Sequence, residues 1–491
     1  MKLFERVRGA DGIKVIVGSA LLWSWLDALF MSAFFIRPDL QGLMPEIAVI
    51  AVFFCSLPAI VFSLASKGRA EQLLANKKIL VGFAAAGTTG TLLLVLSGIG
   101  ASWIVLVLGA LLAGGFMGVY QLAWGAAYAY DGIRSAAPFI AGGFACAVII
   151  DTPLLLMIPQ AQAVFFALLP LLSCAFLLTL RPELRTYREG EDETQPRTRN
   201  MHSRLKRYGG VSLMLLGAVA LIMIGFGYVQ HLVSFSYVAG ASQTGGILIQ
   251  LARGLSSILM FAVIATSVRR AGLVCRVGLL AMIAGFMLMP FLFGTNLFWM
   301  SGAVLIAGYT ALDLFLWVTF SQIANAQSRR PLKTIALLRL IAVVGYIIGA
   351  LVAIALVGNG GRLNEFVSAE TTVVGYLVVI ATVLLLGADD VWVLFRTQTQ
   401  RGRESDDEGG MEKRLQVISK TFAWTAREQE IATLLAYGRT QPWIAERLSI
   451  SENTVSTHVR HIYQKANVHN RQEFIDLVVF PEHEASPGTR D

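Results

Sequence analysis

Up to Phe395 the chain is a series of long, almost uninterrupted apolar runs, too evenly hydrophobic to be one buried face of a helix in water. A bilayer core about 30 Å thick takes roughly 20 such residues per helix. That ruler predicts twelve spans, at 13–35, 45–66, 79–98, 102–124, 136–158, 161–180, 211–233, 245–268, 273–294, 297–320, 332–357 and 371–395. A polar stretch at 181–207, with Glu191, Asp192, Glu193, Arg197, Arg199 and Lys206, divides six spans from six. Beyond Phe395 the pattern changes. Apolar residues thin out to helical spacing on a polar background: Ile431, Leu434 and Leu435; Ile444, Ala445 and Leu448; Val455, Val459 and Ile462; Phe474, Leu477 and Val478. This predicts four short amphipathic helices in water.

Composition sharpens the division. Of 491 residues 55% are hydrophobic and only 15% charged, against roughly 25% charged in soluble proteins. The net charge of +8 takes its meaning from position. Lys2, Arg6, Arg8, Lys67, Arg69, Lys77, Lys78, Arg134, Arg269, Arg270, Arg329, Arg330 and Lys333 fall in alternate loops, and only Arg37 and Arg362 in the others. Cationic loops stay on the cytoplasmic side. The expected protein is therefore multi-pass in the cell membrane, with both termini in the cytoplasm and its first span retained rather than cleaved as a signal. Cys55, Cys146, Cys174 and Cys275 have no CxxC spacing, which argues against a disulfide framework or a zinc site. No P-loop, GxSxG, HExxH or metal-ligand cluster is present, so an enzyme, ATP and a cofactor are not expected. The expected domains are membrane halves at 1–180 and 211–395 around a linker at 181–210. A tether at 396–421, a compact module at 422–480 and a tail at 481–491 follow.

Six plus six helices joined by a charged loop resembles the major facilitator superfamily of transporters, over about residues 10–395. That family has a Gly- and Arg-rich signature between helices 2 and 3, where this chain has Ser66, Lys67, Gly68, Arg69 and Ala70, then Lys77 and Lys78. Charges at membrane depth are expensive and invite a functional reading. Asp27, Asp151 and Arg253 lie at similar depth on spans 1, 5 and 8. The resemblance implies that spans 5 and 8 pack across the halves, making Asp151 with Arg253 a candidate ion pair. Asp313 and Arg339, on spans 10 and 11, form a second. Either pair is a gate that opens with the halves or static charge compensation. Trp23, Trp25, Tyr120, Gln121, Trp124, Gln230, His231 and Trp317 can line a central cavity, anchor at the interfaces or face lipid. Gly114 with Gly118 and Gly345 with Gly349 have the spacing of close helix packing.

In the tail, start signals punctuate the helices. Thr425 with Glu428 makes a capping box, Thr440 and Ser451 can cap the second and third helices, and Asn470 with Glu473 begins the fourth. Two short helices joined by a tight turn have the geometry of a DNA reader. On the third helix Ser456, Thr457 and Arg460 can contact base edges, with Gln464 in the same stripe, while Thr454, His458 and Lys465 can reach phosphates. The segments T-A-R-E-Q-E-I, L-L-A-Y-G, I-A-E-R-L-S-I-S-E-N-T-V, H-V and Q-K-A-N-V-H-N-R, between Thr425 and Val478, strongly resemble LuxR-type DNA-binding domains. The resemblance implies a homodimer on a two-fold related double-stranded site, with Ser456, Thr457 and Arg460 facing bases and Glu430, Gly438, Ile444, Val455 and Ile462 structural. The chain departs from the family at Ser456, often basic there, and at Ala466 and Asn467, often Leu-Gly. Six basic and six acidic residues in 422–480 cancel, so one copy should hold DNA weakly.

The expected fold is all-α: a twelve-helix membrane bundle with a four-helix tail. Three functions fit. One is a membrane-embedded transcription regulator, its bundle sensing an unidentified small molecule. The second is a secondary transporter with a regulatory tail. The third is an interaction protein whose tail binds another regulator.

Overall fold

The computed structural model describes residues 10–31, 44–66, 68–100, 102–130, 133–154, 157–180, 207–208, 211–238, 243–266, 271–292, 295, 297–326, 331–358, 373–378, 380–381, 415–436 and 440–479. They fall into two compact units, residues 1–395 and 396–491.

Where water is absent a backbone must satisfy its own N–H and C=O groups, and the helix does so within one segment. The first half has α1 (Ala10–Met31), α2 (Met44–Ala65), the short α3 (Arg69–Ala75), α4 (Lys77–Gly100), α5 (Trp103–Tyr130), α6 (Ile133–Leu154) and α7 (Pro159–Thr179). A two-residue antiparallel hairpin, β1 (Arg207–Tyr208) with β2 (Val211–Ser212), leads into the second half. There follow α8 (Leu213–Val238), α9 (Gln243–Thr266), α10 (Ala271–Leu292), α11 (Phe298–Ala326) and α12 (Pro331–Gly358). Ten of the described helices are long and apolar enough to cross a membrane. The eighth expected span lies in α9, whose apolar part is the shorter Leu248–Ile264. Of the twelfth, only 373–378 and 380–381 lie within the described residues.

Within the first half α1 packs on α6 and α7, and α5 on α2 and α4. In the second, α8 packs on α12, and α11 on α9 and α10. The halves meet where α6 packs on α9 and α2 on α12, with α11 also reaching α5 and α6. Lipid offers no hydrophobic drive between helices, so close backbone approach at small residues has to supply attraction. A Cβ on Gly118 would stand 2.6 Å from the Ser56 carbonyl oxygen of α2, and one on Gly349 2.0 Å from the Ile224 carbonyl oxygen of α8. Both spaced glycine pairs thus mark helix crossings.

The second unit has its own core. A helical turn at 415–421 precedes α13 (Ala426–Ala436), α14 (Gln441–Leu448), α15 (Glu452–Ala466) and α16 (Arg471–Val479). Leu415, Trp424, Ile431, Leu435, Ile444, Val455, Ile462, Phe474 and Val478 are buried together. The capping box is reciprocal: Thr425 N donates to Glu428 Oε2 at 2.7 Å and Glu428 N to Thr425 Oγ1 at 3.2 Å. Ser451 caps α15 through Thr454 N, and Asn470 Oδ1 accepts from Glu473 N at 2.9 Å. Thr440 sits at the cap of α14 in extended backbone, but its side chain makes no capping bond; Pro442 has already removed one donor from that first turn. Asn467 ends α15 with φ 51°. This left-handed position suits glycine or asparagine, so Asn467 does the work of the glycine common in the family pattern.

Glu428 also holds Lys465, whose Nζ lies 2.6 Å from Oε2, tying α13 to the end of α15. Burial alone would raise the Glu428 carboxyl, but hydrogen bonds from Lys465 and Thr425 hold it below the usual carboxylate value. A depressed folded value contributes stability above the unfolded pKa, near 4.3, and loses it as pH falls through the folded one. Urea melts of a fragment spanning 411–491 should therefore weaken below about pH 4.5. Glu428→Gln should lower stability at pH 7 by about 1–2 kcal/mol and flatten that acid limb. In the membrane unit, Gly349→Ala should destabilise by about 1–3 kcal/mol, read as a lower Tm in detergent. Gly82→Ala, whose Cβ meets nothing within 4 Å, should be neutral or gain up to about 1 kcal/mol.

Candidate nucleic-acid interface and buried charge sites

A three-residue turn sets the angle between α14 and α15. Ser449 adopts φ 53°, and Ile450 N returns to the Ala445 carbonyl at 3.0 Å, closing α14 before Ser451 opens α15. With 15 residues α15 is about 22 Å long at 1.5 Å per residue. Val455, Val459, Ile462 and Ala466 bury one side of it. At about 100° per residue, Asn453, Thr457, Arg460 and Gln464 project from the opposite side, with Ser456 at its edge. All five are exposed. Asn453 and His461, also exposed, belong to this surface and were missed, although the same helical angle places them there. Thr457 Oγ1 donates to the Asn453 carbonyl at 2.9 Å.

The three residues expected at phosphates differ among themselves. Thr454 is exposed, its hydroxyl 2.8 Å from that of Ser451. His458 is half-buried. Lys465 is committed internally, to Glu428 and, at 3.3 Å, to the Ala423 carbonyl.

In the membrane unit α1 places Ser24 and Asp27 one helical turn apart. Arg253 of α9 reaches Asp27, Nη1 to Oδ1 2.5 Å, with both side chains largely buried. Ser24 donates to Asp151 Oδ1. Packing of spans 5 and 8 implied Asp151 as the partner of Arg253, but α1 lies against α6 and presents Asp27 to Arg253 instead. The second expected pair is also rearranged. Arg339 of α12 donates from Nη2 to Gln121 Oε1 of α5 at 2.9 Å, and its guanidinium lies 5.0 Å over the Trp317 ring. Asp313, one turn before Trp317 on α11, acts on Arg339 only through space, and among the described residues no salt bridge joins them.

The candidate cavity residues separate by what they bond. Trp25 Nε1 donates to Thr91 Oγ1, Trp124 Nε1 to Ser173 Oγ and Tyr120 OH to the Leu80 carbonyl, at 2.8, 3.1 and 3.0 Å. These three hold the first half together. His231 Nδ1 lies 3.0 Å from the Gly227 carbonyl in its own helix, and Gln230 is buried beside it. Trp23 and Gln121 instead meet Trp317 and Arg339 of the other half.

Residues 423–478 match the family described as bacterial regulatory proteins, luxR family. An uncharacterized transcriptional regulatory protein, YxjL of Bacillus subtilis (strain 168), is 44% identical over 56 residues, 11% of this chain and 26% of that protein. The monoamine regulon transcriptional regulator of Klebsiella aerogenes is 40% identical over 57 residues, 12% of this chain and 25% of that protein. The chain thus spans about a quarter of the length of these curated relatives. In three dimensions it resembles the major facilitator superfamily proton:xylose symporter XylE, with a TM-score of 0.52 at 11% identity, over 78% of this chain and 97% of that one. That likeness is one of fold alone. Residues 423–478 are a helix-turn-helix domain of the LuxR family, in a chain whose membrane unit has the major facilitator fold.

Proposed function

We propose that the protein is a membrane-embedded transcription regulator, in which the transporter-fold unit binds a small molecule and thereby governs how the LuxR-type domain engages promoter DNA. The observation that carries this reading is the exposed polar face of α15, turned away from its apolar side on the second helix of a helix-turn-helix. Arg460 donates to a guanine edge, Thr457 and Ser456 read neighbouring bases, and Asn453 and Gln464 extend the contact. Thr454 and His458 meet phosphates. Lys465, held by Glu428, positions the end of α15 and lends its field to the backbone.

The domain carries no net charge, so attraction to phosphate is weak for one copy. Two copies on a two-fold site gain effective concentration. Pairing of homodimer partners is therefore the step through which the membrane unit exerts control, with the domain and both termini on the cytoplasmic side.

A secondary transporter with a regulatory tail is the second reading, favoured by the fold likeness over nearly the whole length of a symporter. Flux in proteoliposomes by a chain ending at Phe395 would support it.

Arg460→Ala should lower promoter affinity by roughly 10- to 100-fold and leave the amount of protein in the membrane unchanged. Footprinting and chromatin occupancy measure the first, membrane fractionation the second. Unchanged occupancy would sink the regulator reading. Protease applied to intact spheroplasts should spare the residues beyond Phe395 and cut them only after lysis.

A further inference from the structure

On the seam between the two halves, four buried polar groups make no hydrogen bond of good geometry: Trp23 Nε1 of α1, Tyr128 OH of α5, Trp317 Nε1 of α11 and Arg339 Nε of α12; of these, Trp23 and Tyr128 lie close enough to interact weakly with each other. Their residues are 5%, 1%, 1% and 5% exposed. They lie together. The Trp23 and Trp317 rings meet edge to face at 5.0 Å, Tyr128 stands 6.3 Å from Trp317, and the Arg339 guanidinium lies over Trp317. Leaving such groups unpaired costs their full desolvation.

Three of the four, the two indole N–H groups and the guanidinium N–H, can only donate. The cation also lacks a carboxylate in contact: Arg253 touches Asp27, whereas Arg339 touches the neutral Gln121 and feels Asp313 only through space. The missing complement is a negatively charged acceptor. One guanidinium matches one negative charge, and its planar edge suits a two-oxygen carboxylate; a doubly charged phosphate would leave a second charge buried. The surroundings are aromatic, with Phe144 4.8 Å from Trp23 and Phe320 6.4 Å from Trp317.

We propose that this seam binds a small aryl carboxylate, its carboxylate held by Arg339, Trp23 and Trp317 and its ring set among the aromatic faces. The donors come from both halves, so entry requires the halves to part, and the acid then favours the arrangement that clasps it. The inference supplies the ligand class for the regulator reading and rests on it only for the regulatory consequence.

The test uses the full chain in lipid nanodiscs, titrated with benzoate, phenylacetate and indole-3-acetate, and with benzamide as the neutral counterpart. Calorimetry and, for benzoate, phenylacetate and benzamide, tryptophan fluorescence report binding. At least one acid should bind saturably, and benzamide at least roughly tenfold more weakly. Arg339→Gln should lower affinity for the acid by roughly 10- to 100-fold. Arg339→Lys should recover part of that loss, and Trp317→Phe should weaken binding several-fold while keeping the ring. Thermal melting checks each variant; if Arg339→Gln does not fold, the other two carry the test. Failure of every acid to bind the folded wild-type protein, equal binding of benzamide, or unchanged binding by folded Arg339→Gln would overturn the proposal. Acid binding with no effect on promoter occupancy would uphold the site and sink the sensor role. Promoter control by another compound, with no acid bound, would do the reverse.

Discussion

Most of this chain lies where there is no water to share, and a charge placed there must bring its own partner. The ion pair between Arg253 and Asp27 is the clearest instance, because its two members come from opposite halves of the bundle. Neither half can move away without exposing a buried charge, and breaking such a pair costs more than forming it gains. Ser24, one helical turn before Asp27 on α1, holds Asp151 of α6. One short piece of α1 thereby organises both the seam and its own half.

The second cation on the seam is arranged differently. Arg339 crosses from α12 to Gln121 of α5, so a second cationic residue also links the halves, but through a neutral group and an aromatic face. The contrast matters for function: a closed ion pair is a lock, whereas a cation surrounded by unpartnered donors is poised for an anion. In the proposed regulator, a second arrangement of the halves that satisfies different polar groups would supply the bistable element that a sensor requires.

The LuxR-type domain faces the opposite problem. Its helices are short and surrounded by water, so isolated helices of 8 to 15 residues would be marginal. Capping and a small apolar core supply the rest. Glu428 serves both needs, closing the first turn of α13 and anchoring Lys465, and Asn467 takes up the left-handed turn without glycine.

Apolar run length determined the membrane helices, since a bilayer demands about 20 such residues and tolerates little else; the described bounds of α2 and α12 fall within one residue of the expected spans. The tail was equally legible, because the Thr425–Glu428 and Asn470–Glu473 signals act over three residues and need no distant partner. The base-facing stripe followed from the same local periodicity. What the sequence left open was azimuth: depth along a helix can be counted, but the direction a side chain faces across a bundle depends on how every helix is rotated by its neighbours. Arg253 was therefore paired with Asp151 rather than Asp27, Arg339 with Asp313 rather than Gln121, and Lys465 was given to phosphate. Only packing decided those pairings, because each is set by contacts between residues 37 to 226 positions apart in the chain.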